Sequence, residues 1–268
     1  MTATPSPIDE LLQIMRRLRD PESGCPWDRQ QTWQSLIPYT LEEAYEVAEA
    51  IEQNDAAALA DELGDLLFQV VFYARIAEER EAFDFARVCR AISDKLVRRH
   101  PHVFADEQVG SAEEQTEAWE GHKARERAQK AGDRPARLLD GVSVALPALT
   151  RAQKLQKRAA RAGFDWPEVR GVLAKVEEEL GEVEAELAAR DAARLQHELG
   201  DLLFAVVNLA RHLDVDPETA LRGANRRFES RFAQVEDSLG GAEGLARASL
   251  DEMEAAWQAA KCKENAKK

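Results

Sequence analysis

An acidic pattern occurs twice in this chain with the same internal spacing, and this duplication constrains the architecture more than any other feature. In the first copy, Glu42-Glu43-x-x-Glu46 is followed by Glu62-x-x-Asp65. In the second copy, Glu178-Glu179-x-x-Glu182 is followed by Glu198-x-x-Asp201. The copies superpose at an offset of 136 residues, and residues 59–75 agree with residues 195–211 at twelve of seventeen positions. The duplication predicts two homologous domains, which we place at residues 1–138 and 139–268.

The spacing of apolar residues predicts an all-α fold, with each domain a helical bundle. No segment alternates with the period of a strand, so we expect no sheet. Helices are expected at residues 8–18, 41–53, 56–77 and 85–99, and again from Pro167, after Asp191, and from Asp216-Pro217 to Phe232. Thr40 is expected to cap the helix at 41–53, with Glu43 completing a capping box. Gly and Pro residues between 130 and 147 mark the joint between the domains.

Charge and cysteine content exclude several classes of protein. A net charge of −14 argues against nucleic acid as a partner, because tracking phosphates requires a basic surface. Three scattered cysteines indicate neither a disulfide framework nor a thiolate metal site, and so favour the cytoplasm. No signal peptide is expected at the N-terminus. The most apolar run, residues 63–77, is too short and too polar to span a bilayer, so no membrane partner is expected.

The carboxylates indicate a site for divalent cations. Residues three apart share one face of a helix, so each copy carries two short carboxylate ladders on adjacent helices. Carboxylates this close repel one another unless they are protonated or bridged, and ligands that are all oxygen suit magnesium, with manganese as an alternative. The expected metal ligands are Glu43, Glu46, Glu62 and Asp65 in the first half, and Glu179, Glu182, Glu198 and Asp201 in the second.

The competing interpretation of a Glu-rich helix is a solvated acidic face. Two observations weigh against it here: the second acidic pair of each copy sits inside an apolar helix, and the spacing is duplicated. Gly64 and Gly200 lie between the two acids of these pairs, although glycine costs about 1 kcal/mol in a helix interior. A close helix approach or a ligand would explain them.

These motifs resemble the MazG nucleoside triphosphate pyrophosphohydrolases. The resemblance is carried by the two acidic patterns, the paired LGDLLF segments, GCPWD at 24–28 and SDKLVRRHPHVF at 93–104, and it covers nearly the whole chain. It implies an all-α enzyme that dimerises through helical bundles, binds magnesium with the acids, and cleaves nucleoside triphosphates to monophosphate and pyrophosphate. It also implies a role in clearing or regulating the nucleotide pool.

Basic and aromatic residues are expected to complete the nucleotide site, because metal ions leave part of a triphosphate's charge unneutralised. By resemblance, Arg227, Arg231 and Trp257 line this site, although a solvated face for the arginines and core packing for the tryptophan stay open. Lys175 and Arg194 lie one turn before the acids of the second half. Tyr39 and Ala58 replace them in the first half. We therefore expect the second half to carry most of the hydrolysis.

Two classes of function remain open from the sequence. In the first, an enzyme directs a metal-activated water at the α-phosphorus, with catalytic candidates Glu178, Glu179, Glu182, Glu198 and Asp201; Glu178 or its neighbour is the candidate general base. In the second, a non-catalytic helical dimer binds metal only for structure and serves as a scaffold. Di-iron bundles require Glu-x-x-His and isoprenoid synthases use Asp-Asp-x-x-Asp, and both motifs are absent from the sequence.

Overall fold

The computed structural model describes residues 6–105, 110–111, 114–115, 119, 121, 137–189 and 191–265. Helices account for the regular structure of these residues, and none of them lies in a β-strand. The predicted all-α class is confirmed. Among the described residues, no helix is both long enough and apolar enough to cross a membrane.

The helices follow the same order in each half. The first half contains α1 (Pro7–Leu18), α2 (Pro26–Gln30), α3 (Ile37–Gln53), α4 (Ala56–Glu79), α5 (Phe85–Arg99) and α6 (Pro101–Phe104). The second contains α7 (Ala148–Arg161), α8 (Val169–Ala189), α9 (Ala192–His212), α10 (Pro217–Ser238), α11 (Gly241–Leu245) and α12 (Leu250–Asn265). The acidic pairs therefore lie on α3 and α4, and on α8 and α9, as predicted.

Contacts divide the chain into two compact units, Met1–His122 and Lys123–Lys268. Residues 122–136, between this division and the sequence boundary, lie outside the described residues. The boundary at residue 138 therefore stays a prediction.

The helices that carry the second acidic pair begin at equivalent aspartates. The Asp55 carboxylate accepts hydrogen bonds from the backbone N–H groups of Ala57 and Ala58, both at 3.0 Å. The Asp191 carboxylate accepts from Ala193 and Arg194 at 3.0 and 3.2 Å. Each cap satisfies amide groups that the first turn of a helix leaves unpaired.

The predicted cap at Thr40 is wrong, because α3 begins three residues earlier, at Ile37. Pro38 lies in its first turn, where proline is favoured since its missing N–H has no partner there in any case. Thr40 is consequently inside the helix. Its hydroxyl lies 3.1 Å from the Leu36 carbonyl oxygen and 2.8 Å from the Tyr73 hydroxyl, so it links α3 to α4.

Each unit has its own apolar core. In the first, α4 packs against α1, α3 and α5, and the large buried side chains of its core are Met15, Leu36, Val71, Phe72 and Ile76. In the second, α9 packs against α7, α8 and α10, and α12 packs on α10; its buried apolar residues are Val172, Ala205, Val207, Val235 and Ala260. The paired helices α3 with α4, and α8 with α9, form the frame of each acid cluster.

Helices α4 and α9 each carry a stripe of leucine and valine side chains, at residues 63, 66, 67, 70 and 71 and at residues 199, 202, 203, 206 and 207. Both stripes are only partly covered. Val71 and Val207 are buried, and Leu66 and Leu202 are partly buried. The remaining side chains are between 38% and 52% exposed: Leu63, Leu67, Val70, Leu199, Leu203 and Val206. A Cβ atom added at Gly64 or Gly200 would meet nothing within 4 Å. Within the described part of the chain, therefore, no other helix lies close to these glycines. A close approach of helices within one chain does not explain why glycine occupies these positions.

Candidate active site

The acids of the second half converge between α8 and α9. One carboxylate oxygen each from Glu179, Glu182 and Glu198 lies within 4.8 Å of the other two. Asp201 lies one turn beyond Glu198 and forms an overlapping group with Glu198 and His197. Glu198 thus belongs to both groups, which places it at the centre of the cluster.

Glu179 is the buried member of the cluster, with only 6% of its surface exposed. Its Oε1 atom lies 2.8 Å from the Lys175 ammonium, whereas its Oε2 atom is buried without a hydrogen-bond partner. An unpaired buried carboxylate oxygen is costly, so it requires a cation or another donor. Because the neighbouring ligand atoms are also carboxylate oxygens, this set fits a hard divalent cation such as magnesium.

Lys175 is the cation of the cluster. It lies one turn before the acids on α8 and pairs with Glu178 at 2.9 Å as well as with Glu179. Hydrogen bonds to Glu179 and Glu178 raise the pKa of the Lys175 ammonium, which holds the side chain in its charged form. Lys175 therefore brings one permanent positive charge to the edge of the acid cluster.

The electrostatics of the acids also favour a cation. Desolvation, followed by the charge of Glu179, raises the pKa of Glu182. A raised carboxylate pKa means that the ionised form is disfavoured at this position. A divalent ion among the acids would relieve this repulsion.

The first half builds a related acid cluster, with Tyr39 at the position that Lys175 occupies in the second half. Glu43, Glu62 and Asp65 contribute oxygens within 4.8 Å of one another, and Glu46 lies one turn after Glu43 on α3. Desolvation and the neighbouring acids raise the pKa values of Glu43 and Glu62. Tyr39, at the position of Lys175, instead contacts the edge of Trp27, with ring centroids 5.7 Å apart.

A cavity of about 720 Å³ opens beside the acid cluster of the second half. Lys175, Glu179 and Asp201 form part of its wall. Most of the remaining wall is apolar, and several residues that the sequence reasoning missed contribute to it: Phe164, Asp165, Trp166, Phe204, Asn208 and Arg211. The available signal was the run Gly163-Phe-Asp-Trp-Pro167, which places two aromatic residues in a loop just before the acid-bearing helix.

The loop between α7 and α8 is anchored by Asp165. Its carboxylate accepts hydrogen bonds from the Arg211 guanidinium, one of them at 2.9 Å, and lies 2.9 Å from His212 Nε2. The hydrogen bond from Arg211 is the main reason that the pKa of Asp165 lies below its usual value. Asp165 therefore remains ionised and ties the loop to the end of α9.

The structure places the other predicted substrate ligands away from this cavity within one chain. Arg194 is largely exposed and lies 3.6 Å from Glu186 and 3.8 Å from Asp191. Arg231 on α10 pairs with Glu264 at 2.7 Å, and its guanidinium lies 5.8 Å from the Trp257 ring centroid. Arg227 lies one turn earlier on α10. None of these four residues is on the described wall of the cavity.

Comparison with known proteins identifies the class that this fold and site define. A profile of the MazG nucleotide pyrophosphohydrolase domain matches twice, at residues 31–104 and 168–235. These two segments contain the two acid clusters. The chain is therefore a protein with tandem MazG domains, and it belongs to the MazG nucleotide pyrophosphohydrolase family, a family of hydrolases.

Two relatives that match over nearly their whole length support the same assignment, and a third matches over half of its length. The nucleoside triphosphate pyrophosphohydrolase of Escherichia coli K12 is 54% identical over 261 residues, which cover 96% of this chain and 98% of the relative. The nucleoside triphosphate pyrophosphohydrolase/pyrophosphatase MazG of Thermotoga maritima is 44% identical over 256 residues, 95% of each chain. YabN of Bacillus subtilis is 44% identical over 251 residues, which make up 92% of this chain and 50% of the relative. The resemblance noted in the sequence is confirmed.

We predict that Glu198→Ala weakens divalent-cation binding in the second half by at least about tenfold, because even partners of metal ligands change affinity by about 10- to 100-fold. Calorimetric titration of the full chain with Mg²⁺ or Mn²⁺ measures this. Glu243→Ala is the matched control, since this glutamate is exposed and forms a surface ion pair with Arg247, away from the acid clusters. Equal titrations for the two variants would show that Glu198 is not a ligand.

Proposed function

We propose that this chain hydrolyses nucleoside triphosphates at the α–β bond and releases the monophosphate and pyrophosphate, with magnesium as cofactor. The observation that carries the proposal is the buried Glu179, with one carboxylate oxygen on Lys175 and the other unpaired among acids. Such a set holds cations beside a fixed ammonium, which is the arrangement a polyphosphate requires. The names of the relatives from Escherichia coli and Thermotoga maritima support the same substrate class.

In this proposal the acids Glu179, Glu182, Glu198 and Asp201 hold the metal. Bound magnesium supplies Lewis-acid chemistry, by polarising the phosphate oxygens and acidifying the attacking water. The water oxygen forms a bond to the α-phosphorus, the bond to the bridging β-phosphate oxygen breaks, and pyrophosphate leaves with the electron pair. Glu178, or the neighbouring Glu179, accepts the proton of the water. Lys175 then balances part of the phosphate charge.

The proposal retains Arg194, Arg227, Arg231 and Trp257 as substrate ligands on the strength of the family resemblance. Because they lie off the cavity wall within one chain, contact with the nucleotide requires either a second protomer at the site or a change of side-chain rotamer. The pairing of Arg231 with Trp257 keeps a guanidinium beside an indole. The guanidinium suits a phosphate, and the indole suits an apolar part of the nucleotide.

Product analysis tests the reaction. With any nucleoside triphosphate that the wild-type chain turns over, we expect monophosphate and pyrophosphate in equal amounts, because the proposed attack is at the α-phosphorus. Chelation by EDTA should abolish turnover, and added Mg²⁺ should restore it. Release of diphosphate and orthophosphate, or turnover that EDTA leaves intact, would contradict the proposal.

We further propose that the second half carries most of the hydrolysis, because Lys175 has no cationic counterpart at Tyr39. Glu198→Ala should remove most pyrophosphate release, whereas Glu62→Ala, the same substitution at the equivalent position, should spare it. A charge-assisted contact contributes roughly 1.5 to 3 kcal/mol, so the lack of one or two cations lowers triphosphate affinity at the first half by about one to two orders of magnitude or more. A larger loss from Glu62→Ala would assign catalysis to the first half.

A homodimer is also proposed, with helical-bundle cores formed between protomers. The partly exposed stripes on α4 and α9 support it, since single chains seldom leave rows of leucine and valine in water. Light scattering of the full chain should give about twice the 29.9 kDa mass of one chain. Leu203→Glu should shift the mass towards that of the monomer, because it puts a charge into the interface. A wild-type mass near 29.9 kDa at all concentrations would refute the dimer.

The non-catalytic scaffold is the second candidate. It would need the acids for a structural metal, but it has no use for an ammonium beside them or for a large cavity that opens onto them. We therefore favour the enzyme. A cytoplasmic location, and the lack of a nucleic-acid partner, stay predictions from the cysteines and from the net charge of −14.

A further inference from the structure

Two aromatic side chains stand at the cavity beside the acid cluster without a role in the core. Phe164 is 84% exposed and Trp166 is 45% exposed. Both belong to the loop between α7 and α8, which turns at Gly163 with a φ of +85°, a conformation that favours glycine. Exposed aromatic rings on an apolar cavity wall indicate a flat apolar ligand, because they contribute little to folding in that position.

The loop is held in one position by its polar residue. Asp165 is tied to Arg211 and His212 on α9, and it accepts a hydrogen bond from the backbone N–H of Trp166 at 2.9 Å. The Trp166 ring packs over Gly171 at the start of α8, where an added Cβ would lie 2.9 Å from Cε3. Anchors on both α8 and α9 therefore hold the loop and the Trp166 ring in place before any ligand arrives.

Arg211 also fixes the orientation of the Asn208 amide. The Asn208 Oδ1 atom accepts two hydrogen bonds from this guanidinium, at 3.0 and 2.8 Å. Because a guanidinium has only donors, the oxygen of the amide must face Arg211. Asn208 lies on the cavity wall. The Nδ2 group is at the end of the amide opposite the oxygen that Arg211 holds, and it can only donate to a ligand.

We propose that this cavity binds the nucleobase of the substrate, and that Asn208 selects bases with a carbonyl oxygen at the edge it contacts. Phe164 and Trp166 flank the ring, while the Asn208 amide donates to the oxygen. Guanine, hypoxanthine, uracil and thymine carry such an oxygen where adenine and cytosine carry an amino group, which is itself a donor. The inference rests on the proposed function, because it places the phosphates at the acid cluster.

The residues of the cavity wall indicate which part of the nucleotide binds there. Lys175, Glu179 and Asp201 lie on the same wall as the aromatic residues, so a ligand whose phosphates bind at the acids has its remaining part in this cavity. A volume of about 720 Å³ is in the range of sites for small molecules. The largely apolar wall suits a base and its sugar and does not suit a second polyphosphate.

Asn208→Asp tests the inference, since it replaces the donor with an acceptor and retains the partner for Arg211. In the full chain with Mg²⁺, we expect kcat/KM for GTP, ITP and UTP to fall about 10- to 100-fold relative to ATP and CTP. Phe164→Leu should raise KM for all five nucleotides and leave the mass in solution, measured by light scattering, unchanged. Equal losses across the panel for Asn208→Asp would overturn the carbonyl readout, and a mass change with Phe164→Leu would assign the aromatic residues to an interface instead.

Phe83→Leu is the matched control, because Phe83 is an exposed loop aromatic of the first half, stacked on Trp33. It should leave the nucleotide preference unchanged. Binding of GMP and AMP by calorimetry separates this inference from the proposed function, since it needs no hydrolysis. Tighter binding of GMP than of AMP, lost in Asn208→Asp, supports the base site even if the wild type releases no pyrophosphate; equal binding of both in wild type and variant overturns it.

Discussion

Repulsion between carboxylates is the constraint on which the rest of this molecule depends. Each half brings three or more acids within a few ångströms and buries part of them, which raises the pKa values of Glu43, Glu62 and Glu182. A fold tolerates this only if its frame is rigid and its apolar packing is strong. The long helix pairs α3 with α4, and α8 with α9, supply the frame, and side chains such as Phe72 on α4 and Val207 on α9 supply buried apolar packing.

The halves show how one frame can support two electrostatic environments. The acids, their spacing and the aspartate caps are retained in both, whereas the surroundings differ. In the second half Lys175 compensates two glutamates, and an anchored aromatic loop lines a cavity beside the site. In the first half Tyr39 packs against Trp27 at the matching position. The halves therefore differ in how the acids are neutralised and in which residues lie beside them.

The sequence predicted what depends on local spacing. Helix α5 was predicted with its observed bounds, the cap at Asp191 was found, and the two acid sets converge as the spacing of Glu179, Glu182 and Glu198 indicated. The predicted helix start at Thr40 was wrong, because the capping preference of threonine gave way to Pro38, which lies in the first turn of a helix that begins at Ile37.

Features that depend on contacts between residues far apart in the chain could not be predicted from the sequence. Asp165 and Arg211 are separated by 46 positions, and nothing in the pattern of either segment indicates that they meet. The cavity that they line, and the orientation of the Asn208 amide, depend on how α7, α8 and α9 pack, which the sequence pattern does not specify. The exposed stripes on α4 and α9 are a similar case, because periodicity identifies an apolar face without identifying what covers it.

The aspartate caps also set the angular phase of the acid-bearing helices. Asp55 and Asp191 each stand seven residues before the first glutamate of their helix, Glu62 and Glu198. Seven residues are close to two full turns, so each glutamate projects in nearly the same direction as its cap. The intervening sequences differ between the halves, but their length is the same. One inserted residue would rotate the carboxylate by about 100° away from its partners, so evolution can vary the composition of this segment while its length is held fixed.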